Sequence, residues 1–169
     1  MSNELIISIS GMRGIIGENL TASVAAEYGC AFGTFLKSKY PEKEKLTVCA
    51  GRDSRVSGTM LQNAVTAGLY SVGIDVIDLG LVITPSVGIM LRHLSCDGGF
   101  MITASHNPIA YNGIKLLLAD GIAPPKDDAE NIKAIYLNKQ FQLVGSNQCG
   151  KADMNTQTYT IHLNKVLAL

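Results

Sequence analysis

Apolar runs of strand length alternate with helical patterns along almost the whole chain, and this alternation narrows the fold more than any other feature. "LIISI" (Leu5–Ile9) reads as a first strand. "TASVAAEYGCAFGTFLKSK" reads as a helix with Thr21 as its N-cap. "KLTVCAG" (Lys45–Gly51) is a second strand, and "SGTMLQNAVTAGLYSVG" a second helix, capped by Ser57 and ending near Gly73. "DVIDLG" (Asp75–Gly80) is a third strand, followed by "TPSVGIMLRHL", where Pro85 near a helix start costs no hydrogen bond. "GGFMITA" (Gly98–Ala104) and "GIKLLLAD" (Gly113–Asp120) complete the series. Too few residues join these last two for a parallel crossover, so the fifth strand is expected to be antiparallel. The fold class that follows is α/β, with three α/β/α layers around a mainly parallel mixed sheet and the last strand antiparallel.

The remaining chain is less patterned. "DDAENIKAIYLNKQ" reads as a charged surface helix opening at Asp127. Leu143–Met154 has the composition of a linker, and "TQTYTIHLNKVLAL" carries an apolar stripe at helical spacing. The expected organisation is one α/β domain over residues 1–142, then a linker and the start of a truncated second domain over residues 143–169.

Composition supports this reading. The hydrophobic content is 47 %, the aromatic content 6 %, and there is no tryptophan. Such a chain builds its core from small aliphatic residues, as helices packed on a sheet do. Lys+Arg and Asp+Glu are both 14. The neutral total speaks against broad binding of nucleic acid or acidic membranes, though not against a local cluster of arginines around a small anion. Cys30, Cys49, Cys96 and Cys149 form no C-x-x-C pair and have no histidine at metal-ligand spacing, so reduced thiols in a cytoplasmic protein are expected. "MSNELIISIS" lacks the basic start and apolar core of a signal peptide, and no segment has the length of a membrane span.

In α/β sheets, ligands bind beyond the carboxyl ends of the parallel strands. Three unusual stretches are expected there as loops: "SGMRG" (Ser10–Gly14), "GRDSRVSG" (Gly51–Gly58) and "TASHNP" (Thr103–Pro108). Arg13, flanked by glycines, is either a solvated turn arginine or a ligand for an anion. Arg52 and Asp53 can pair and brace the loop, leaving Arg55 for an anion or an acidic neighbour. For Ser57 and Asp53 a capping or bracing role outweighs direct catalysis.

Ser105 admits two readings. A Ser–His pair could serve acyl transfer. Adjacent residues on extended backbone point apart, however, which makes His106 a poor base for Ser105, and no G-x-S-x-G elbow is present. Alternatively, Ser105 carries phosphate, whose charge and acceptor oxygens call for arginines, a helix N-terminus or a metal nearby. Asn107 before Pro108 favours extended geometry and a rigid loop. Lys115, beyond the turn "YNG", either returns to the same rim or faces solvent. His93 and His162 read as surface or helix-face residues rather than ligands, and the methionines as core filler.

"SGMRG", "GRDSRVSG", "TPSVGIM", "GGFMITASHNP" and "YNGIK", in this order, closely resemble the N-terminal domain of the α-D-phosphohexomutase superfamily, in its phosphoglucomutase/phosphomannomutase branch. The resemblance implies a phosphoserine at Ser105 that exchanges phosphate between C1 and C6 of a hexose through a bisphosphorylated sugar. It implies that Arg13, His106 and Lys115 assist proton transfer or hold the transferring phosphoryl group. Arg52, Arg55, Asn107 and Thr103 would frame the substrate and its phosphate, with Asn107 supporting the serine loop. Mg²⁺ is the implied cofactor, bound to Ser105 through its phosphate. Its main ligands, and the sugar- and phosphate-recognising surfaces, are expected in further domains of the same enzyme, since no D-G-D-x-D-R loop occurs here. The implied partners are a hexose phosphate, a hexose bisphosphate and those remaining domains. A fragment with little mutase activity alone is the expectation. Within the superfamily, a phosphoglucosamine mutase is the alternative. Thr103 and Tyr111-Asn112-Gly113 favour the glucose/mannose branch. Outside it, the alternative is a phosphate-binding module without chemistry.

Overall fold

The structure, a computed structural model, describes residues 4–168. Residues 1–3 and Leu169, which include the start of "MSNELIISIS" and the end of the terminal stripe, lie outside the described residues. The elements run β1 (Ile6–Ser8), β2 (Gly11–Ile15), α1 (Ala22–Lys39), β3 (Thr47–Arg52), α2 (Gly58–Ser71), β4 (Asp75–Leu81), α3 (Thr84–His93), β5 (Gly98–Ile102), β6 (Tyr111–Leu118), α4 (Lys126–Leu137), β7 (Ala152–Met154) and α5 (Thr158–Leu167).

One sheet carries all seven strands in the order β1-β2-β6-β5-β3-β4-β7. β3 pairs in parallel with β4 and β5, and β4 with β7, whereas β1–β2, β2–β6 and β5–β6 are antiparallel. Strands β2, β3, β4, β5 and β7 therefore share one direction, and β1 and β6 run against them. The mixed, mainly parallel sheet and the antiparallel strand after β5 match the expectation.

The start of the chain differs from it. "SGMRG" is a strand, β2, rather than a loop, and the first strand is a short antiparallel partner to it. The glycines that suggested a turn serve close strand approach instead. A Cβ on Gly11, at φ +108°, would stand 2.0 Å from the Ile114 carbonyl oxygen, and one on Gly113 2.8 Å from that of Met12. Between them Met12 is buried and Arg13 exposed, the alternation of a half-covered strand.

Side-chain parity divides the core in two. Met12, Val48, Ala50, Phe100, Ile102, Ile114 and Leu116 join one cluster with the buried faces of α1, α2 and α4. Cys49, Met101 and Leu117 point the other way, against Val87, Met90 and Leu91 of α3. Thr21 caps α1 as expected, accepting the Val24 N–H at 3.3 Å. Ser57 does not cap α2 through its side chain. Its hydroxyl accepts from the buried Asn112 Nδ2 at 2.9 Å, tying the start of α2 to β6.

The stretch read as a linker is laid along the sheet. Lys151 N–H donates to Asp75 Oδ1, Val76 N–H to the Lys151 carbonyl, and Asn155 N–H to the Asp78 carbonyl. The apolar stripe after it forms α5, which rests on α3: His162 Nδ1 and Ser86 Oγ are 2.7 Å apart, and the Tyr159 hydroxyl donates to the Leu81 carbonyl. Tyr159, Leu163, Val166 and Leu167 remain exposed. No helix among the described residues is long and apolar enough to cross a membrane.

Helices α1 and α2 cross at two glycines. A Cβ on Gly68 would stand 2.0 Å from the Ala26 carbonyl oxygen, and one on Gly29 2.3 Å from that of Val65. Gly68→Val should therefore force the helices apart and cost ~1–3 kcal/mol. At Gly145 a Cβ would meet only Asn147 Oδ1, at 3.5 Å, and Gly145→Ala should stay within ~0.5 kcal/mol of the parent. Urea unfolding checks this pair; equal midpoints for the two variants would contradict the packing account.

Candidate active site

The helices do not cover the second face of the sheet evenly. Helix α3 lies over β3 and β5, and the antiparallel end of that face is left open. Register places Arg13 opposite Gly113, and Lys115 two residues further along β6. Partners across a ladder, and residues two apart on a strand, share a face, so Arg13 and Lys115 project together onto the open part. Between them Gly113 presents only hydrogen. Lys115 is thus on the rim and not in the solvent-facing alternative.

A cleft of about 270 Å³ forms there, lined by Ser8, Ser10, Arg13, Thr103, Ser105, His106 and Lys115, with Ile6, Gly11, Met12 and Ala104 as its floor and walls. None of these is a carboxylate. Two cations, an imidazole and four hydroxyls around a small concavity make an anion site. Ser8 and Ser10 were not singled out in the sequence; the two-residue period of "SIS" on a hairpin next to Arg13 is the signal that would have found them.

Ser105 stands where β5 ends, exposed, with its backbone at φ +55°. That left-handed conformation costs a side-chain-bearing residue roughly 1–2 kcal/mol, so the surroundings must over-determine it. Four hydrogen bonds do so locally. The buried Thr103 Oγ1 accepts the Ser105 N–H at 3.0 Å. Asn107 N–H and Asn107 Nδ2 both donate to the Ala104 carbonyl, at 3.0 and 2.8 Å. Thr103 N–H donates to the Gly113 carbonyl. Thr103 and Asn107 thus shape the loop, and no hydrogen bond among the described residues joins Ser105 to His106.

Among the described residues Asp53 pairs with Arg55 rather than Arg52. It accepts the Arg55 N–H through Oδ1 at 3.0 Å and faces Arg55 Nε through Oδ2 at 3.5 Å. The Arg52 stem runs beside Gly58 at the start of α2. Arg55 reaches across to the serine loop. Its Nη2 donates to the Ser105 and Asn107 carbonyls, at 3.0 and 2.7 Å, and its Nη1 to those of Pro108 and Tyr111, at 3.0 and 3.1 Å. A guanidinium has five N–H donors, and here all are turned toward this chain's own atoms. The side chain is 13 % exposed and does not line the cleft. The structure therefore brings Arg13, Thr103, Ser105, His106 and Lys115 together and leaves Arg52, Arg55 and Asn107 behind or beside the loop.

Among the described residues no three His, Cys, Asp or Glu side chains gather to hold a metal ion. The cleft alone does not fit Mg²⁺.

Comparisons with known proteins place the chain in a family. The description "Phosphoglucomutase/phosphomannomutase, alpha/beta/alpha domain I" matches residues 5–143. A phosphoglucomutase/phosphomannomutase of Thermococcus kodakarensis is 43 % identical over 141 residues, covering 83 % of this chain and 30 % of that protein. A phosphoglucosamine mutase of Alkaliphilus oremlandii is 41 % identical over 135 residues, covering 80 % of this chain and 30 % of the relative. The crystal structure of a phosphoglucomutase/phosphomannomutase family protein from Burkholderia thailandensis superposes with a TM-score of 0.79 at 28 % identity, over 96 % of this chain and 36 % of that one. The chain thus spans about 30 % of the length of the curated relatives it matches. On the match over residues 5–143, the chain belongs to the phosphoglucomutase/phosphomannomutase family, within its α/β/α domain I.

Proposed function

We propose that this chain is the serine-bearing part of a phosphohexomutase and that Ser105 carries the phosphoryl group moved between C1 and C6 of a hexose. The observation that carries the reading is the exposed Ser105, at φ +55°, in a cleft whose charged groups are Arg13 and Lys115, with no carboxylate lining it. The acyl-transfer alternative lacks a base bonded to the serine. Membership in the family favours phosphoryl chemistry over passive phosphate binding.

Phosphoryl transfer is achieved mainly by positioning and charge neutralisation. The phosphate on Ser105 Oγ would sit between Arg13 and Lys115. As a sugar hydroxyl attacks phosphorus, the P–Oγ bond breaks and a P–O bond to the sugar forms. The hydroxyl proton passes to His106, and Lys115, a cation, gives a proton to Ser105 Oγ as that oxygen departs as the leaving group. In the return step Ser105 takes the sugar's other phosphate. Mg²⁺ remains the implied cofactor. In this chain the phosphate on Ser105 would hold it, its other ligands coming from elsewhere in the enzyme, and it would supply charge neutralisation at the transferring phosphoryl group.

The division of the chain into a domain over residues 1–142 and a connection toward a second domain over 143–169 is part of the same proposal, as is weak turnover by this chain alone. The family match ending at residue 143 and the short share of each relative support it. A cytoplasmic location is supported by four free cysteines, of which Cys49 and Cys96 lie 3.1 Å apart without being linked. Phosphoglucosamine mutase is a second reading, favoured by the 41 % identical relative of that name. Turnover of glucose, mannose and glucosamine phosphates, measured side by side, separates the two.

In the complete enzyme, Ser105→Ala should reduce interconversion of hexose 1- and 6-phosphates to the assay background; normal turnover would end the proposal. Lys115→Met should lower kcat by roughly 10²–10⁴-fold, as loss of a positioned acid or base does. Arg13→Gln should also slow the chemical step, because a cation on the transferring group is lost. Rates within twofold of the parent for both variants would remove these two residues from the mechanism.

A further inference from the structure

We infer that Arg55 is a positioning residue that straps the Ser105 loop into its left-handed conformation, and that it binds neither the substrate nor the transferring phosphate. The role for Ser105 in this inference rests on the function proposed above. The strap itself rests on geometry alone.

A tight loop with a non-glycine residue at positive φ needs outside support. Carbonyls converging from several residues would also repel one another. The Arg55 fork meets both needs. Nη2 grips the limb that carries the serine, at Ser105 and Asn107, and Nη1 grips the returning limb, at Pro108 and Tyr111. Charge-assisted bonds of this kind are stronger than neutral ones, and a planar fork imposes geometry as well as attraction. The stem is anchored in turn. Asp53 receives the Arg55 N–H and faces Nε, and Asp53 N–H donates to the Ile102 carbonyl at the end of β5, just before Thr103. The path from Ile102 through Asp53 and Arg55 to the Ser105 carbonyl closes a ring around the base of the loop. Exposure of 13 % and four N–H bonds to backbone carbonyls hold the guanidinium away from the Arg13–Lys115 cleft; it borders instead a second cavity with Asp53, Ser54, Ser105, Asn107 and Ile109. A lysine would supply one point charge without the fork, so Arg55→Lys should fail to restore the geometry.

Amide hydrogen exchange on the 169-residue chain tests the strap without any assay of activity. In Arg55→Ala and Arg55→Lys, exchange at Asn107 and Tyr111 should quicken on the order of tenfold or more, the size expected when a charge-assisted hydrogen bond is lost. Amides of Phe100 and Leu116 in the core should stay protected, which shows that the variants fold. If Arg55→Ala unfolds, Arg55→Lys carries the test. In the complete enzyme, kcat should fall while KM for the hexose phosphate stays within about twofold of the parent. Exchange at Asn107 and Tyr111 unchanged in both variants overturns the strap. A rise in KM at constant kcat does so too, since it would make Arg55 a phosphate ligand. If Ser105 proves not to carry phosphate, the exchange result still stands or falls by itself.

Discussion

Residues 103–110 are all that separates β5 from β6, and the rest of the molecule follows from how little chain that is. A parallel return would require a crossover helix. The chain instead folds straight back, and β6 runs antiparallel against β5 and offers its free side to β2. The helix that a crossover would have laid over this end of the sheet does not exist. One face of the antiparallel strands is therefore left open while α1, α2 and α4 bury the other. The connection itself becomes a tight, rigid loop at the edge of the opening, with Ser105 on it.

Chemistry enters through parity. On β2 and β6 the even positions, Met12, Ile114 and Leu116, go into the core, so the odd ones, Arg13 and Lys115, must meet on the open face. Two cations converge without a carboxylate between them, which is unfavourable for the empty cleft and favourable once an anion fills it. The serine loop bears strain at φ +55°, offset by bonds from Thr103, Asn107 and Arg55. Strain held by surrounding contacts keeps a group in place without reorganisation at the moment of reaction.

Much of this architecture is legible in the sequence because hydrophobic periodicity and connection length are local quantities. The helices around Thr21 and Pro85 and the antiparallel turn after β5 follow from them. What escaped has physical reasons. Glycine marks both turns and close strand contact, so "SGMRG" reads equally as loop or strand until Gly11 and Gly113 are seen facing backbone. Arg52 and Arg55 differ in sequence only by register. Which one pairs with Asp53, and that Arg55 spends its donors on carbonyls 50 or more residues away, is a long-range outcome. The same holds for Asn112, whose amide reaches Ser57, and for Ser8 and Ser10, which join the site only through the β1–β2 hairpin.

The central claim is that the hydroxyl at the end of β5 is the one in this cleft that holds a phosphoryl group. The most direct measurement is peptide mapping by mass spectrometry of the complete enzyme after exposure to a hexose bisphosphate. The account predicts one phosphoryl group, located on Ser105, that is released when excess hexose monophosphate is added. Phosphate on Thr103, Ser8 or Ser10 instead, or none at all in an enzyme that turns over, would contradict it.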